Sequence, residues 1–130
     1  ACMNGLERWH HVMKEGDMEA LYDLLHPDCV FISPVVHTPQ EGREITYAYL
    51  RAAKKALSED FQYVREVVQD NHAVLEFTVK VDGIFVNGVD IITFEGDQIV
   101  ELKVMVRPLK AVNAVWKQMG QMLEQLKAAS

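Results

Sequence analysis

One carboxylic acid, Asp90, stands in an otherwise apolar strand pattern and is the first candidate for chemistry. Strand alternation between Ile84 and Arg107 places it on one face with side chains that suit a closed interior. These companions are Ile84, Val86, Gly88, Ile92 and Phe94. An ionised carboxylate among aliphatic groups is costly, so Asp90 must be paired, hydrogen-bonded or kept protonated by a raised pKa. Such a group is a candidate catalytic acid, although a satisfied structural Asp gives the same pattern.

Two histidines could move a proton to or from a molecule held against Asp90. His37 lies in the loop PVVHTPQEG, beside the expected pocket mouth, and imidazole titrates close to neutral pH. His10 follows Trp9 on the inner stripe of a first helix and could share a proton with Asp90. A solvent-exposed loop histidine and a hydrogen-bonded core histidine are the alternative interpretations, and the sequence leaves them open.

Further side chains are candidate ligand contacts. Trp9 offers one N–H donor and Ser33 a hydroxyl, while Tyr49 and Ile92 add interior contact surface. The histidines at positions 10, 11, 26, 37 and 72 contain no i, i+4 pair, and no Cys-x-x-Cys occurs, so we expect no metal site. No nucleophile-elbow motif is present either. Any catalysis is therefore expected to be acid–base chemistry without a cofactor.

Bulk properties exclude several classes of partner. The 130 residues suit a single domain, and the formal net charge of −6 makes nucleic acids and anionic membranes poor partners. The two cysteines, Cys2 and Cys29, cannot form a disulfide framework and fit a reducing compartment. No segment is long enough to span a membrane, and no signal peptide is recognisable, so we expect a cytoplasmic protein.

The elements that position these residues alternate between helical and strand periodicity. Helices are predicted near Gly5–Glu15, after the capping residue Asp17, and near Arg43–Leu57 with Tyr49 inward. The predicted strands are 29–33, 61–69, 72–81 and the two arms of the hairpin 84–107. The tripeptide His26-Pro27-Asp28 is expected to end the second helix. This order predicts an α+β fold in which a curved antiparallel sheet wraps around helices and leaves a cone-shaped pocket.

A closing helix is predicted from Leu109 to Lys127. Its apolar residues recur at intervals of three and four and form one stripe. The stripe consists of Leu109, Val112, Trp116, Met119, Leu123 and Leu126. We expect this stripe to pack on the domain itself, and a lid over the cone or a dimer contact are the alternatives.

Two segments resemble the NTF2-like superfamily, and in particular its SnoaL-like and ketosteroid isomerase-like branch. They are GDMEALYDLLHPDCVFISPV near the front and GVDIITFEGDQIVELKVMVRP near the back, and the resemblance covers roughly residues 5 to 108. It implies the cone-shaped fold and a homodimer formed through the sheet. It does not imply one function, because this fold hosts isomerases, cyclases, hydrolases, dehydratases and binding modules.

Only part of the isomerase site carries over to this sequence. Ketosteroid isomerases, a worked example of pKa tuning, use a Tyr and a protonated Asp as hydrogen-bond donors and a second Asp as base. The resemblance places Asp90 at the protonated Asp, Trp9 at the Tyr and Ser33 at the base. Ser is no base at neutral pH, so the standard isomerase mechanism is not expected.

Two functions follow from these observations. The first is binding of a small, largely apolar molecule with a carbonyl or hydroxyl group, with isomerase-, cyclase- or lyase-type chemistry at Asp90. The second is a non-catalytic dimeric interaction module whose cone is filled by its own side chains.

Overall fold

A computed structural model describes the backbone of residues 4–129 and the side chains of residues 4–125. It contains four helices and six strands in these residues. The helices are α1 (Gly5–Glu15), α2 (Met18–Leu24), α3 (Arg43–Ala56) and α4 (Leu109–Ala129). The strands are β1 (Leu25–Ile32), β2 (Gln40–Glu41), β3 (Glu59–Gln69), β4 (His72–Val81), β5 (Ile84–Glu95) and β6 (Gln98–Arg107). The predicted α+β architecture is confirmed, with helices packed against one curved sheet.

Capping residues define the two N-terminal helices. The Asn4 side chain accepts a hydrogen bond from the Glu7 amide, and the Asp17 side chain accepts one from the Ala20 amide. Gly16 lies between the helices in the left-handed region, at φ 70°, and its amide donates to the carbonyl of Val12. The predicted break between the first two helices is therefore confirmed.

The strand order across the sheet is β2-β1-β6-β5-β4-β3. The strands from β3 to β6 form successive antiparallel hairpins, as predicted, and β1 pairs with β2 antiparallel. The pairing of β1 with β6 is parallel, which differs from the prediction of a wholly antiparallel sheet. No hairpin turn links these two strands, and a hydrophobic pattern carries no information about strand direction.

Alternation in β4 and β5 places the core as predicted. The buried residues of β4 are Ala73, Leu75, Phe77, Val79 and Val81, and those of β5 are Val86, Gly88, Asp90, Ile92 and Phe94. One apolar cluster joins the buried part of this face to α1 and α2, and a second joins it to α3 and α4. All the helices therefore pack against the same apolar face of the sheet.

Pro27 does not separate a helix from a strand. The second helix already ends at Leu24, and β1 begins at Leu25 and runs through Pro27. The register of β1 against β6 shifts between Leu25 and Val30. Pro27 lies in this irregular stretch, where its missing N–H costs no regular ladder bond. The predicted boundary at residues 26–28 was wrong for this reason.

The buried face of α4 differs from the predicted stripe. Leu109 and Trp116 are 74% and 64% exposed. The residues buried on this helix are Ala111, Ala114, Val115 and Met119. Alanines let the helix approach the sheet closely, and they carry too little hydrophobicity to mark a face in the sequence. Of the stripe, Met119 is buried as predicted, and the side chain of Leu126 lies outside the described residues.

No helix in residues 4–129 combines the length and apolarity needed to cross a membrane.

Gly88 sits where β5 is crowded from both sides, and Gly88→Ala is expected to destabilise the fold by about 1–3 kcal/mol. A Cβ at this position would lie 2.6 Å from the Phe77 ring and 2.7 Å from the backbone carbonyl oxygen of Met105, which β-ladder bonds hold in place. Urea unfolding of the variant measures the change.

The matched control is Gly120→Ala, because a Cβ there meets nothing within 4 Å. In the middle of a helix this exchange should stabilise, by up to about 1 kcal/mol. Equal effects of the two alanines would contradict the crowding at Gly88.

Candidate functional site

A cavity opens between the sheet and the helices, as the cone-shaped architecture requires. About 80 Å³ of it is open to the centres of water molecules, room for several waters or for part of a small organic molecule. Its wall is mainly aliphatic and aromatic, with contributions from α1, α3, α4 and the sheet. Apart from the aromatic residues, three lining residues have a polar or charged side chain: Ser33, Lys54 and Asp90.

A chain of hydrogen bonds holds Asp90 at the cavity wall. The indole N–H of Trp9 donates to the Tyr63 hydroxyl oxygen at 3.0 Å, and the Tyr63 hydroxyl donates to Oδ2 of Asp90 at 2.9 Å. Asp90 is only 7% exposed, and Trp9 is buried. The chain runs in one direction, from Trp9 through Tyr63 to the carboxyl group. It therefore fixes the orientation of that group.

The second oxygen of Asp90, Oδ1, accepts no hydrogen bond from residues 4–129, since Tyr63 bonds only Oδ2. No fully buried side-chain oxygen or nitrogen in the described chain lacks a partner. Asp90 also lines the cavity. Oδ1 is therefore the oxygen that is available to a molecule in the cavity.

Burial raises the pKa of Asp90 from its ordinary value to about 7, and the hydrogen bond from Tyr63 limits the rise. The pKa of Tyr63 is also raised, first by burial and then by the negative charge of Asp90. Tyr63 consequently stays protonated, while Asp90 is divided between acid and carboxylate near neutral pH. A carboxyl group in this state can both donate and accept a proton.

The structure brings four of the sequence-predicted site residues to the cavity: Trp9, Ser33, Tyr49 and Asp90. The Trp9 N–H is already used by Tyr63, so this residue cannot donate to a ligand as the sequence suggested. Ser33 Oγ accepts hydrogen bonds from the amides of Val35 and Val36, which leaves its hydroxyl proton free to donate.

The other three predicted site residues do not line the cavity. His37 is exposed on its loop and is not itself a lining residue, although Ser33, Pro34 and Val35 of the same loop are. His10 Nε2 bonds Glu66 Oε1 at 2.6 Å and so has Glu66 as its partner in place of Asp90. Ile92 lies fully buried in the core. In the described residues, no three His, Cys, Asp or Glu side chains form a group that could hold a metal ion.

Tyr63 and Lys54 belong to the site although the sequence analysis did not single them out. Tyr63 was predicted only as part of a strand. Its alternation with Phe61 on the inner face was the available signal, but its bond to Asp90 spans the intervening strand β4. Lys54 lies in the basic last turn of α3, outside the apolar face that the helical spacing predicts.

Tyr63→Phe is expected to raise the pKa of Asp90 further, because it removes the one hydrogen bond that favours the carboxylate. A carboxyl-carbon NMR titration of ¹³C-labelled aspartate, with Asp90 assigned by its absence in Asp90→Asn, measures the change. Tyr49→Phe is the control, since Tyr49 lines the same cavity without a hydrogen bond to Asp90. An unchanged pKa in Tyr63→Phe would show that the bond does not form.

Comparison with known proteins adds a family and a set of similar structures. The model of the SnoaL-like domain family matches residues 6–102. A steroid delta-isomerase from Pseudomonas aeruginosa is 35% identical, with 95% of this chain and 92% of that chain covered and a TM-score of 0.90. An uncharacterised bacterial protein with a cystatin-like fold from Silicibacter pomeroyi is 31% identical over 90% of this chain and 83% of its own, with a TM-score of 0.83.

A putative polyketide cyclase from Sinorhizobium meliloti shares the fold at 20% identity, with a TM-score of 0.64, 77% of this chain covered and 92% of that one. No curated protein matches the sequence.

Proposed function

Since the chain belongs to the SnoaL-like domain family, we propose that it binds a small, largely apolar molecule with a carbonyl or hydroxyl group in its cavity. Asp90 exchanges a hydrogen bond or a proton with that oxygen. The chemistry is of the isomerase, cyclase or lyase type and uses no cofactor.

The observation that carries this proposal is the free Oδ1 of Asp90 on a largely apolar cavity wall. A buried carboxyl group that served only the structure would be expected to have both oxygens bonded inside the protein. An open cavity that reaches Asp90 also counts against the alternative of an interaction module with a self-filled cone.

Protonated Asp90 donates from Oδ1 to a ligand oxygen, while Tyr63 holds Oδ2 and prevents the carboxyl group from turning away. Ser33 can donate to the same ligand from the loop after β1. Asp90 is the only carboxyl group among the residues that line the cavity. In the reaction Asp90 therefore starts as the carboxylate: it takes a proton from one carbon of the ligand and returns it to another, while the Ser33 hydroxyl donates to the ligand oxygen. The pKa of about 7 lets Asp90 act in this form near neutral pH and in the protonated form when it only binds a ligand oxygen.

The similarity to a steroid delta-isomerase makes a shift of a double bond beside a carbonyl group the first reaction to test. Trp9 and Ser33 stand where the resemblance places the Tyr and the base of such enzymes. We therefore propose a related proton transfer that depends on Asp90 alone. A substrate smaller than a steroid fits a cavity of this size better.

The test is a thermal-shift screen of apolar ketones, lactones and alcohols against the wild type, Asp90→Asn and Asp82→Asn. Asp82 lies in an exposed turn with φ 54°, which Asn adopts readily, so its exchange removes a charge without touching the cavity. A ligand at a hundred times its dissociation constant should stabilise the wild type by about 2.7 kcal/mol. Stabilisation that Asp90→Asn weakens and Asp82→Asn retains is the expected result, and a screen without any shift in the wild type would refute the proposal.

A homodimer through the outer face of the sheet is part of the same proposal. Three large apolar side chains of this face are more than half exposed: Val67, Phe85 and Met105. They lie on β3, β5 and β6, and charged side chains such as Lys80 and Glu76 share this face with them, so a second copy would meet an outer face of mixed apolar and charged character. Met105→Lys should give a monomer in light scattering where the wild type gives a dimer, and a monomeric wild type would end this part of the proposal.

A further inference from the structure

Lys54 is a basic residue among those that line the largely apolar cavity. It lies in the last turn of α3 and is one of the residues that line the cavity, beside Met13 and Met18. Its ammonium group donates to the backbone carbonyl oxygen of Met13, at 2.7 Å. The side chain thus reaches across from α3 to the C-terminal turn of α1.

The charge of Lys54 has no anionic partner in residues 4–129. No Asp or Glu oxygen lies within 4.0 Å of its ammonium group, whereas Lys80 and Arg65 each have such a partner. Its one bond goes to a neutral carbonyl group, and an ammonium group has three protons to donate. Two donors therefore remain for water or a ligand.

Among the described residues, the only other charged group that lines the cavity is Asp90, and it differs from Lys54 in two respects. Asp90 lies on the sheet and is buried, whereas Lys54 is half-buried at the helix end. When Asp90 carries its proton, Lys54 is the one charged residue left in the described part of the cavity lining. A net charge of −6 repels anions from the protein as a whole, so any anion that enters this cavity must be held by a local cation.

We propose that the ligand of this cavity is an amphipathic carboxylate, with its anionic end bound by the Lys54 ammonium group and its carbonyl or hydroxyl oxygen at Asp90. The inference rests on the proposed function, because it assigns the second end of the same ligand. The aliphatic and aromatic wall between the two groups takes up the hydrocarbon part. The substrate class is therefore an oxo or hydroxy acid whose hydrocarbon chain spans the two groups.

The probes that test this are 5-oxohexanoate, 7-oxooctanoate and 9-oxodecanoate, each with its methyl ester. The acid and ester share the ketone and the hydrocarbon chain and differ in the anionic charge. A series of lengths is used because the distance between Lys54 and Asp90 should select one of them. Binding is measured by calorimetry at constant pH and low ionic strength.

In the wild type, the best acid is expected to bind roughly ten-fold or more tightly than its ester, as for a hydrogen bond to a charged group. Lys54→Met should abolish this preference while the ester binds as before, and Lys54→Arg should retain part of it. Lys55→Met is the matched control, because Lys55 is the exposed neighbour in the same helix turn and lies outside the cavity lining.

The remaining outcomes contradict either the Lys54 site alone or the proposed function as well. The Lys54 site is refuted if the esters bind the wild type and need Asp90 but the acids bind no more tightly than the esters. The proposed function then stands. Equal loss of acid and ester in a folded Lys54→Met variant would make Lys54 only a cap of α1. If Lys54→Met does not fold, the wild-type comparison of acid with ester still decides. If neither acids nor esters bind the wild type, the proposed function fails and this inference fails with it.

Discussion

Asp90→Asn is expected to raise the free energy of unfolding at pH 8 by roughly 4 kcal/mol more than it does at pH 3.5. The pKa of Asp90 rises from an ordinary value of 3.8 to about 7 in the folded chain. Each pKa unit corresponds to about 1.36 kcal/mol, which gives the magnitude. Asn resembles the protonated acid in shape and can accept the same hydrogen bond from Tyr63, but it never ionises.

The sign follows from proton binding in the two states. Between about pH 4 and pH 7 the folded chain holds the proton on Asp90 and the unfolded chain has released it. Stability therefore falls as the pH rises through this window, by up to about 1.4 kcal/mol per pH unit. Below pH 4 the contribution of protonated Asp90 is fully present, and above pH 7 it is fully lost.

Urea unfolding from pH 3.5 to pH 8 tests this as a difference between the wild type and Asp90→Asn, so that the contributions of all other groups cancel. The difference should be small at low pH and grow to a plateau above pH 7. The unfolding free energy of Asp82→Asn should change with pH in the same way as that of the wild type, because Asp82 is exposed. A constant difference between the wild type and Asp90→Asn would mean that Asp90 ionises normally, and the role of Asp90 as an acid would have to be abandoned.

The same burial explains why Asp90 could be found from the sequence. A charged residue on the apolar face of a strand has to be accounted for, and the alternation in β5 identifies that face. The hairpins, the Asp17 helix cap and the buried face of β4 were predictable for the same reason, since they depend on local spacing and turn chemistry.

The partners of Asp90 could not be found in this way. Tyr63 approaches Asp90 from β3 across β4, and a register shift follows it between Tyr63 and Arg65. A shift of this kind leaves no trace in the hydrophobic pattern, yet it decides which side chains meet. Lys54 is similar, because its contact with the α1 end depends on how two helices pack. The role of His37 could not be predicted either, since a loop sequence does not fix which way a side chain points, and His37 is exposed and outside the cavity lining.

Phe77→Ala is expected to have the second large effect, a loss of about 3–5 kcal/mol in unfolding free energy. The Phe77 ring is buried, stacks on Phe61 at 5.2 Å between ring centroids and covers Gly88. It also lines the cavity, so its removal joins new empty space to the ligand site. The variant should therefore be less stable and should favour bulkier ligands than the wild type does.

Phe85→Ala is the matched control, because Phe85 is 58% exposed on the neighbouring strand, and its removal should change stability by no more than about 0.5 kcal/mol. Both exchanges are best made in the Met105→Lys background, so that dimer formation does not enter the comparison. Urea unfolding gives the stability, and a ketone series of increasing branching gives the ligand size. A small cost at Phe77 with unchanged ligand preference would mean that the side chains around Phe61 collapse into the space, and the cavity would then be set by the backbone of the sheet and not by its aromatic lining.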